Sequence, residues 1–185
     1  TVLDNVAAPA TVSVAYEPLS GRVATKTWPT GYMATYAYTP TGFLKSVTGS
    51  GAGSTHSASY DVLAMNPQGQ ITQYRYGNNV TTVKTFESTT ERLWGLTATL
   101  TGQGTGNVLN HSYTYDAVGN LKSRNDDTTG VGTQEGFSYD SLNRLTMASL
   151  TSTAVGSTFT EVMYDPRGNI TYKSDVGRYW YDAQR

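Results

Sequence analysis

A short unit recurs along this chain, and its regularity restricts the fold more than any other feature. The clearest copies are Tyr115-Asp116-Ala117-Val118-Gly119-Asn120-Leu121, Tyr139-Asp140-Ser141-Leu142-Asn143-Arg144-Leu145 and Tyr164-Asp165-Pro166-Arg167-Gly168-Asn169-Ile170, with tyrosines 24 and 25 residues apart. Weaker copies lie upstream. Tyr38-Thr39-Pro40-Thr41-Gly42-Phe43-Leu44 lacks the aspartate, while 16–23 and 86–93 each carry one extra residue. Tyr60-Asp61 reaches Gly69-Gln70-Ile71 through a longer loop, and Tyr181-Asp182-Ala183-Gln184-Arg185 starts a copy that stops short. Self-similarity at a fixed period marks a repeat architecture.

Each part of the unit has a structural task. Aromatic residues alternate before the turn (Tyr36 and Tyr38, Tyr113 and Tyr115, Phe137 and Tyr139, Tyr179 and Tyr181), and period two places each pair on one face of a strand. Tyrosine adds a hydroxyl that reaches water or a backbone group. Asp116, Asp140 and Asp165 are placed to accept backbone N–H bonds across the turn. Gly119, Asn143 and Gly168, three residues later, tolerate the left-handed conformation that closes such a hairpin. The apolar residue that follows restarts the buried face.

Turn signals at 18–21, 29–31, 40–42, 49–53, 66–69, 77–79, 88–91, 102–107, 117–120, 129–136, 141–144, 155–157 and 166–169 separate segments of strand length. No stripe of apolar residues at helical spacing interrupts them. Compact turns that follow a tyrosine alternate with longer Gly/Ser/Thr-rich ones such as 49–54 and 102–107. Strands running up and down between two rims would produce this, one rim with tight turns and the other with variable loops. The 14 tyrosines and 19 glycines agree with an all-β fold of half-buried pleated surface and positive-φ turns.

The rest of the composition excludes more than it assigns. Net charge is -1 with charged residues at 15%, which offers no basic patch for nucleic acid. The absence of cysteine excludes disulfides and thiolate metal sites. No apolar run approaches membrane-spanning length, so no membrane insertion is expected. Residues 1–18 show no basic region leading into an apolar stretch, so no signal peptide is expected in them. The chain starts at Thr1 without methionine and is expected to be a fragment or a processed chain.

These copies resemble the YD repeats of Rhs-type proteins, which include bacterial polymorphic toxins, the shell subunits of insecticidal toxin complexes, and animal teneurins. The match is strongest over 113–185, and residues 66–96 are also similar, with Asn79 in place of a usual glycine and Phe86 in place of a usual tyrosine. The resemblance implies antiparallel β-hairpins winding into a β-solenoid or spiral shell segment, 1–185 forming a single repeat region, in a secreted or cell-surface bacterial protein. Family shells enclose a toxin or other cargo and are built from many more residues, so this chain would supply a few turns. Many bacterial members self-cleave at an aspartate-based motif after the last repeat. Asp165-Pro166-Arg167-Gly168-Asn169 shares part of it but sits inside a normal repeat, and is read as a turn.

No residue set stands out as a catalytic, cofactor or metal site. His56 and His111, without cysteine partners, are expected to be lone surface histidines. Asp116, Asp140 and Asp165 occupy one repeat position, which turn geometry explains better than a catalytic carboxylate pair. Asp126-Asp127 is expected to be a solvated loop, and Gly102-Gln103-Gly104-Thr105-Gly106 lacks the strand-then-helix context of a phosphate loop. Trp28, Trp94 and Trp180 offer a sugar-stacking platform but are better explained as cross-strand packing. The expected function is therefore structural: a non-enzymatic wall segment whose strand edges pair with further repeats of the parent chain or with copies of itself, around an enclosed cargo. The alternative is a cell-surface adhesin or carbohydrate-binding module with a glycan as partner.

Overall fold

The computed structural model describes residues 10–51 and 58–181. The fold is all-β and antiparallel, with fifteen strands among the described residues and no helix. The chain divides into two compact units, Thr1–Thr82 and Val83–Arg185. The first contains β1 (Ser13–Tyr16), β2 (Val23–Thr27), β3 (Met33–Tyr38), β4 (Leu44–Ser50), β5 (Ala58–Met65) and β6 (Ile71–Tyr76). β7 (Val80–Phe86) runs across the boundary. The second contains β8 (Leu93–Leu100), β9 (Leu109–Tyr115), β10 (Leu121–Asp126), β11 (Thr133–Tyr139), β12 (Leu145–Ser152), β13 (Gly156–Tyr164), β14 (Ile170–Lys173) and β15 (Gly177–Arg178).

Within each unit the strands pair in chain order, and each touches only its neighbours in the sequence. Each unit is thus a one-layer meander. A globular β-domain buries one face of its sheet against a second layer, and neither unit has one. Burial is correspondingly shallow: among the described residues only Ala34, Ala98 and Val162 are buried apolar side chains, and no large side chain is fully buried. Stability must come from contacts along the sheet, between strands on the same face.

The compact turns share one hydrogen-bond pattern. In the second unit Asp116 N–H donates to Asn120 O (3.0 Å) and Gly119 N–H to Asp116 O (3.2 Å), and the same pair of bonds recurs at 140–144 and 165–169. This is a three-residue hairpin loop whose fourth turn residue must take positive φ. Gly119, Asn143 and Gly168 do so, at 104°, 60° and 93°. The first unit repeats it at 39–43, and also at 66–70 and 28–32, turns that follow Met65 and Thr27 rather than a tyrosine. The longer copies close one residue later, Glu17 N–H on Arg22 O and Glu87 N–H on Arg92 O.

A β-bulge follows each of these tyrosine turns whose register is defined. Tyr38 opposes Leu44 while Ala37 opposes Ser46, leaving Lys45 over. The same slip occurs at Tyr16/Val23, Tyr115/Leu121, Tyr139/Leu145 and Tyr164/Ile170. A bulge adds local right-handed twist, so twist enters at regular intervals.

Four sequence expectations need correction. The copy near residue 60 is not built on Tyr60-Asp61, which lie inside β5. Its turn is Met65-Asn66-Pro67-Gln68-Gly69-Gln70-Ile71, with Asn66 Oδ1 accepting Gln70 N–H at 2.8 Å as an aspartate would. The loop expected at 129–136 is shorter, because Thr133–Gly136 pair with β10 and β12. The turn expected at 155–157 is centred on Thr153–Val155, and a further one lies at Ser174–Val176. Tyr179 and Tyr181 lie beyond β15 rather than within a strand.

Candidate functional site

The feature that recurs from copy to copy is a seam of side chains joining each turn to the one before it. In five copies the repeat tyrosine donates its hydroxyl proton to the carbonyl of the restart residue of the preceding copy. Tyr38 reaches Val23 O (2.9 Å), Tyr115 reaches Leu93 O (3.0 Å), Tyr139 reaches Leu121 O (2.9 Å), Tyr164 reaches Leu145 O (2.9 Å) and Tyr181 reaches Ile170 O (2.9 Å). At Val23, Leu121, Leu145 and Ile170 the bulge explains why these carbonyls are available: the extra residue breaks the ladder beside the restart position.

Arginine reinforces the seam where the restart residue is preceded by one. The Arg22, Arg92 and Arg144 guanidinium groups lie 4.5, 5.7 and 4.5 Å from the ring centroids of Tyr38, Tyr115 and Tyr164. Arg92 Nη1 also donates to Asp116 O (3.1 Å) and Arg144 Nη1 to Asp165 O (3.3 Å). In the 115–121 copy, one of those without the arginine, Asn120 bridges instead, its Nδ2 donating to Asp116 Oδ2 and to Asn143 Oδ1 of the next turn, both at 2.9 Å. Sequence reasoning passed over these arginines. The signal was present, since each stands directly before a restart residue.

The repeat aspartates are occupied by their own turns. Asp116 Oδ1 accepts the N–H groups of Val118, Gly119 and Asn120; Asp140 Oδ1 accepts those of Leu142 and Arg144; Asp165 Oδ1 accepts those of Arg167 and Asn169. Desolvation raises the Asp116 carboxyl pKa, but bonds from Asn120, Gly119 and Val118 outweigh it and hold the group below its usual range. The Arg144 backbone N–H lowers Asp140, and the Asn169 side chain lowers Asp165. Carboxylates held ionised by backbone donors are poor proton donors. A cavity of about 420 Å³ between the 116–120 and 140–144 turns is lined in part by Asp116, Asn120, Lys122, Tyr139, Asp140 and Asn143. Both of its carboxylates have their turn bonds made.

The other candidates resolve individually. His111 is not a lone surface histidine: it is half-buried, with Nε2 3.1 Å from Asp126 Oδ2 and Nδ1 3.2 Å from the Tyr113 hydroxyl. Asp126 is likewise the last residue of β10 rather than loop, opposite His111, while Asp127 is exposed. Among the described residues no three His, Cys, Asp or Glu side chains gather as a metal site, and His56 lies outside them. Gly106 N–H is bonded to Thr99 Oγ1 at 2.9 Å. Trp28 packs on Tyr32 (centroids 5.6 Å apart) beneath Lys26, whereas Trp94 and Trp180 are exposed.

No family model matches this sequence, and no curated protein is similar to it at a significant level. Solved structures are similar in fold. In the crystal structure of TcdB2-TccC3-Cdc42 a chain aligns with a TM-score of 0.62 at 18% identity, covering 86% of this chain and 10% of that one. In TcdB2-TccC3-TEV the figures are 0.61, 18%, 90% and 10%. TcdB2-TccC3 without its hypervariable C-terminal region also aligns, at 0.62 and 18%. This chain thus spans about a tenth of the length of the solved chains it resembles.

Proposed function

We propose that this chain is a length of wall in a tyrosine-repeat β-shell of the Rhs type, belonging to a secreted or cell-surface bacterial protein, and that its work is enclosure rather than catalysis. The observation that carries this reading is the one-layer meander clasped from copy to copy by tyrosine hydroxyls. A sheet with no second layer gains little as a globular core, but it makes a continuous barrier of paired strands. The seam holds successive hairpins in one register, and the bulges add twist at each. The fold likeness to much longer chains supports the same reading, because a wall requires many copies of the unit. In this reading the enclosed cargo is a toxin or another polypeptide.

The reading has a direct solution test. A one-layer sheet with half-exposed strands should self-associate, so sedimentation velocity of the 185-residue chain across a concentration series is expected to show oligomers growing with concentration. A chain that stays a compact monomer throughout overturns the reading.

A further inference from the structure

We infer that Tyr60 and Tyr76 form an oxidative crosslinking site, two phenol rings placed to join by a carbon–carbon bond between their ortho positions, as a dityrosine that fastens β5 to β6. Both strands lie within the first unit, and the inference does not depend on the wall reading.

The seam tyrosines are occupied, each hydroxyl held by a carbonyl of the preceding copy. Tyr60, Tyr74 and Tyr76 are placed differently. Tyr60 and Tyr74 lie inside their strands, Tyr76 ends β6, and the three rings pack on one another. Centroids are 5.4 Å apart for Tyr60 and Tyr74, 5.6 Å for Tyr60 and Tyr76, and 5.4 Å for Tyr74 and Tyr76. Among the described residues no other two tyrosine rings pack together.

Backbone pairing selects one couple from the trio. Tyr60 stands directly opposite Tyr76, and Val62 opposite Tyr74. Gly77 N–H donates to Ser59 O at 2.9 Å. The adjacent couple, Tyr60 and Tyr76, is therefore a non-hydrogen-bonded pair, the position in an antiparallel ladder where facing side chains come closest. Tyr60 and Tyr74 meet only on the diagonal, across a longer backbone separation. Tyr74 and Tyr76 stand edge to face at 81°, whereas the Tyr60 and Tyr76 planes are tilted by 48°. Ortho coupling joins two ring edges, so the tilted pair suits it and the edge-to-face pair does not.

Exposure orders the chemistry, because Tyr76 is 46% exposed and Tyr60 is half-buried. The oxidant is a haem peroxidase running on hydrogen peroxide. It takes one electron from Tyr76, whose phenolic proton passes to water. The Tyr76 radical then draws an electron and a proton from Tyr60 through the ring contact, and a second oxidation restores the radical on Tyr76. Burial, and then the neighbouring Tyr74 and Tyr76, push the Tyr60 pKa up, so its proton leaves with its electron. The two radicals couple at their ortho carbons, and each ortho hydrogen moves to its own ring oxygen as aromaticity returns. In sum, two electrons and two protons leave the pair and reduce hydrogen peroxide to two waters. The bond closes residues 61–75 into a covalent loop, which restricts the opened hairpin more than the closed one.

The test treats the full chain, at high dilution, with haem peroxidase and hydrogen peroxide. The expected product is a monomer lighter by two hydrogen atoms, with blue dityrosine fluorescence and a peptide map joining the Tyr60 segment to the Tyr76 segment. Hydrogen exchange across β5 and β6 should slow by about a hundredfold. Tyr60→Phe and Tyr76→Phe, each with its fold checked by far-UV circular dichroism, should lose the product. Tyr36→Phe, in the same cross-strand row beyond Val47, should keep it. A monomer that loses no hydrogens, links only between molecules, a map that runs through Tyr74, or product surviving in either β5–β6 variant would each overturn the inference. None of these outcomes bears on the sedimentation series that tests the wall reading.

Discussion

Tyr139 and Tyr16 have the same repeat position but different surroundings, and the contrast isolates what one hydroxyl contributes. Tyr139 Oη donates to Leu121 O in a half-buried seam. Removing it strands a carbonyl that water reaches poorly, so Tyr139→Phe should cost about 1 kcal/mol. Tyr16→Phe in the isolated chain should change stability by less than about 0.5 kcal/mol. Urea denaturation of the two variants measures the difference; equal losses would show that the seam bonds are not stabilising. The turn carboxylates make a second prediction. Asp116, Asp140 and Asp165 are all held below the usual carboxylate range in the folded state. A group depressed on folding stabilises above its unfolded value of about 3.9 and loses that contribution as pH falls through the folded value. The urea midpoint should therefore be flat from pH 7 to about 5 and decline below about 4. A midpoint unchanged down to pH 2.5 would contradict this assignment of the aspartates.

At the scale of the hairpin, the fourth turn residue decides whether the loop closes. Gly168 has φ 93°, and a β-carbon placed there would meet nothing within 4 Å. Any cost of substitution is thus backbone strain alone. Gly168→Ala is expected to destabilise by about 1–2 kcal/mol. Gly168→Asn should cost clearly less, because Asn143 holds the equivalent position at φ 60° and asparagine tolerates that region. Thermal denaturation of both variants tests the order, and the reverse order would place the strain elsewhere. Much at this scale could be read from residues alone. Tyrosine alternation, Asp or Asn opening the turn and Gly or Asn closing it are local matters of stereochemistry. The copy at Met65-Asn66 was misplaced for an equally local reason: Tyr60-Asp61 carries the motif's letters, but the spacing to Gly69 belongs to Asn66. The strands at 133–136 and 156–157 read as turn from local residues alone, because their Gly and Ser take strand geometry only through cross-strand partners.

At the larger scale each of the two units is a sheet of unusual economy. Within each unit one layer of strands carries aromatic and aliphatic side chains with no second layer against them. This is why association with further strands is expected of it. Repeat period, strand class and turn chemistry were determined along the chain, because they depend on neighbours within a few residues. The tyrosine-to-carbonyl seam, the arginine stacks and the pairing of His111 with Asp126 were decided only by folding. Each joins residues brought together by strand pairing across a turn or from one repeat to the next, and register is set jointly by turn length and by the bulge after each tyrosine.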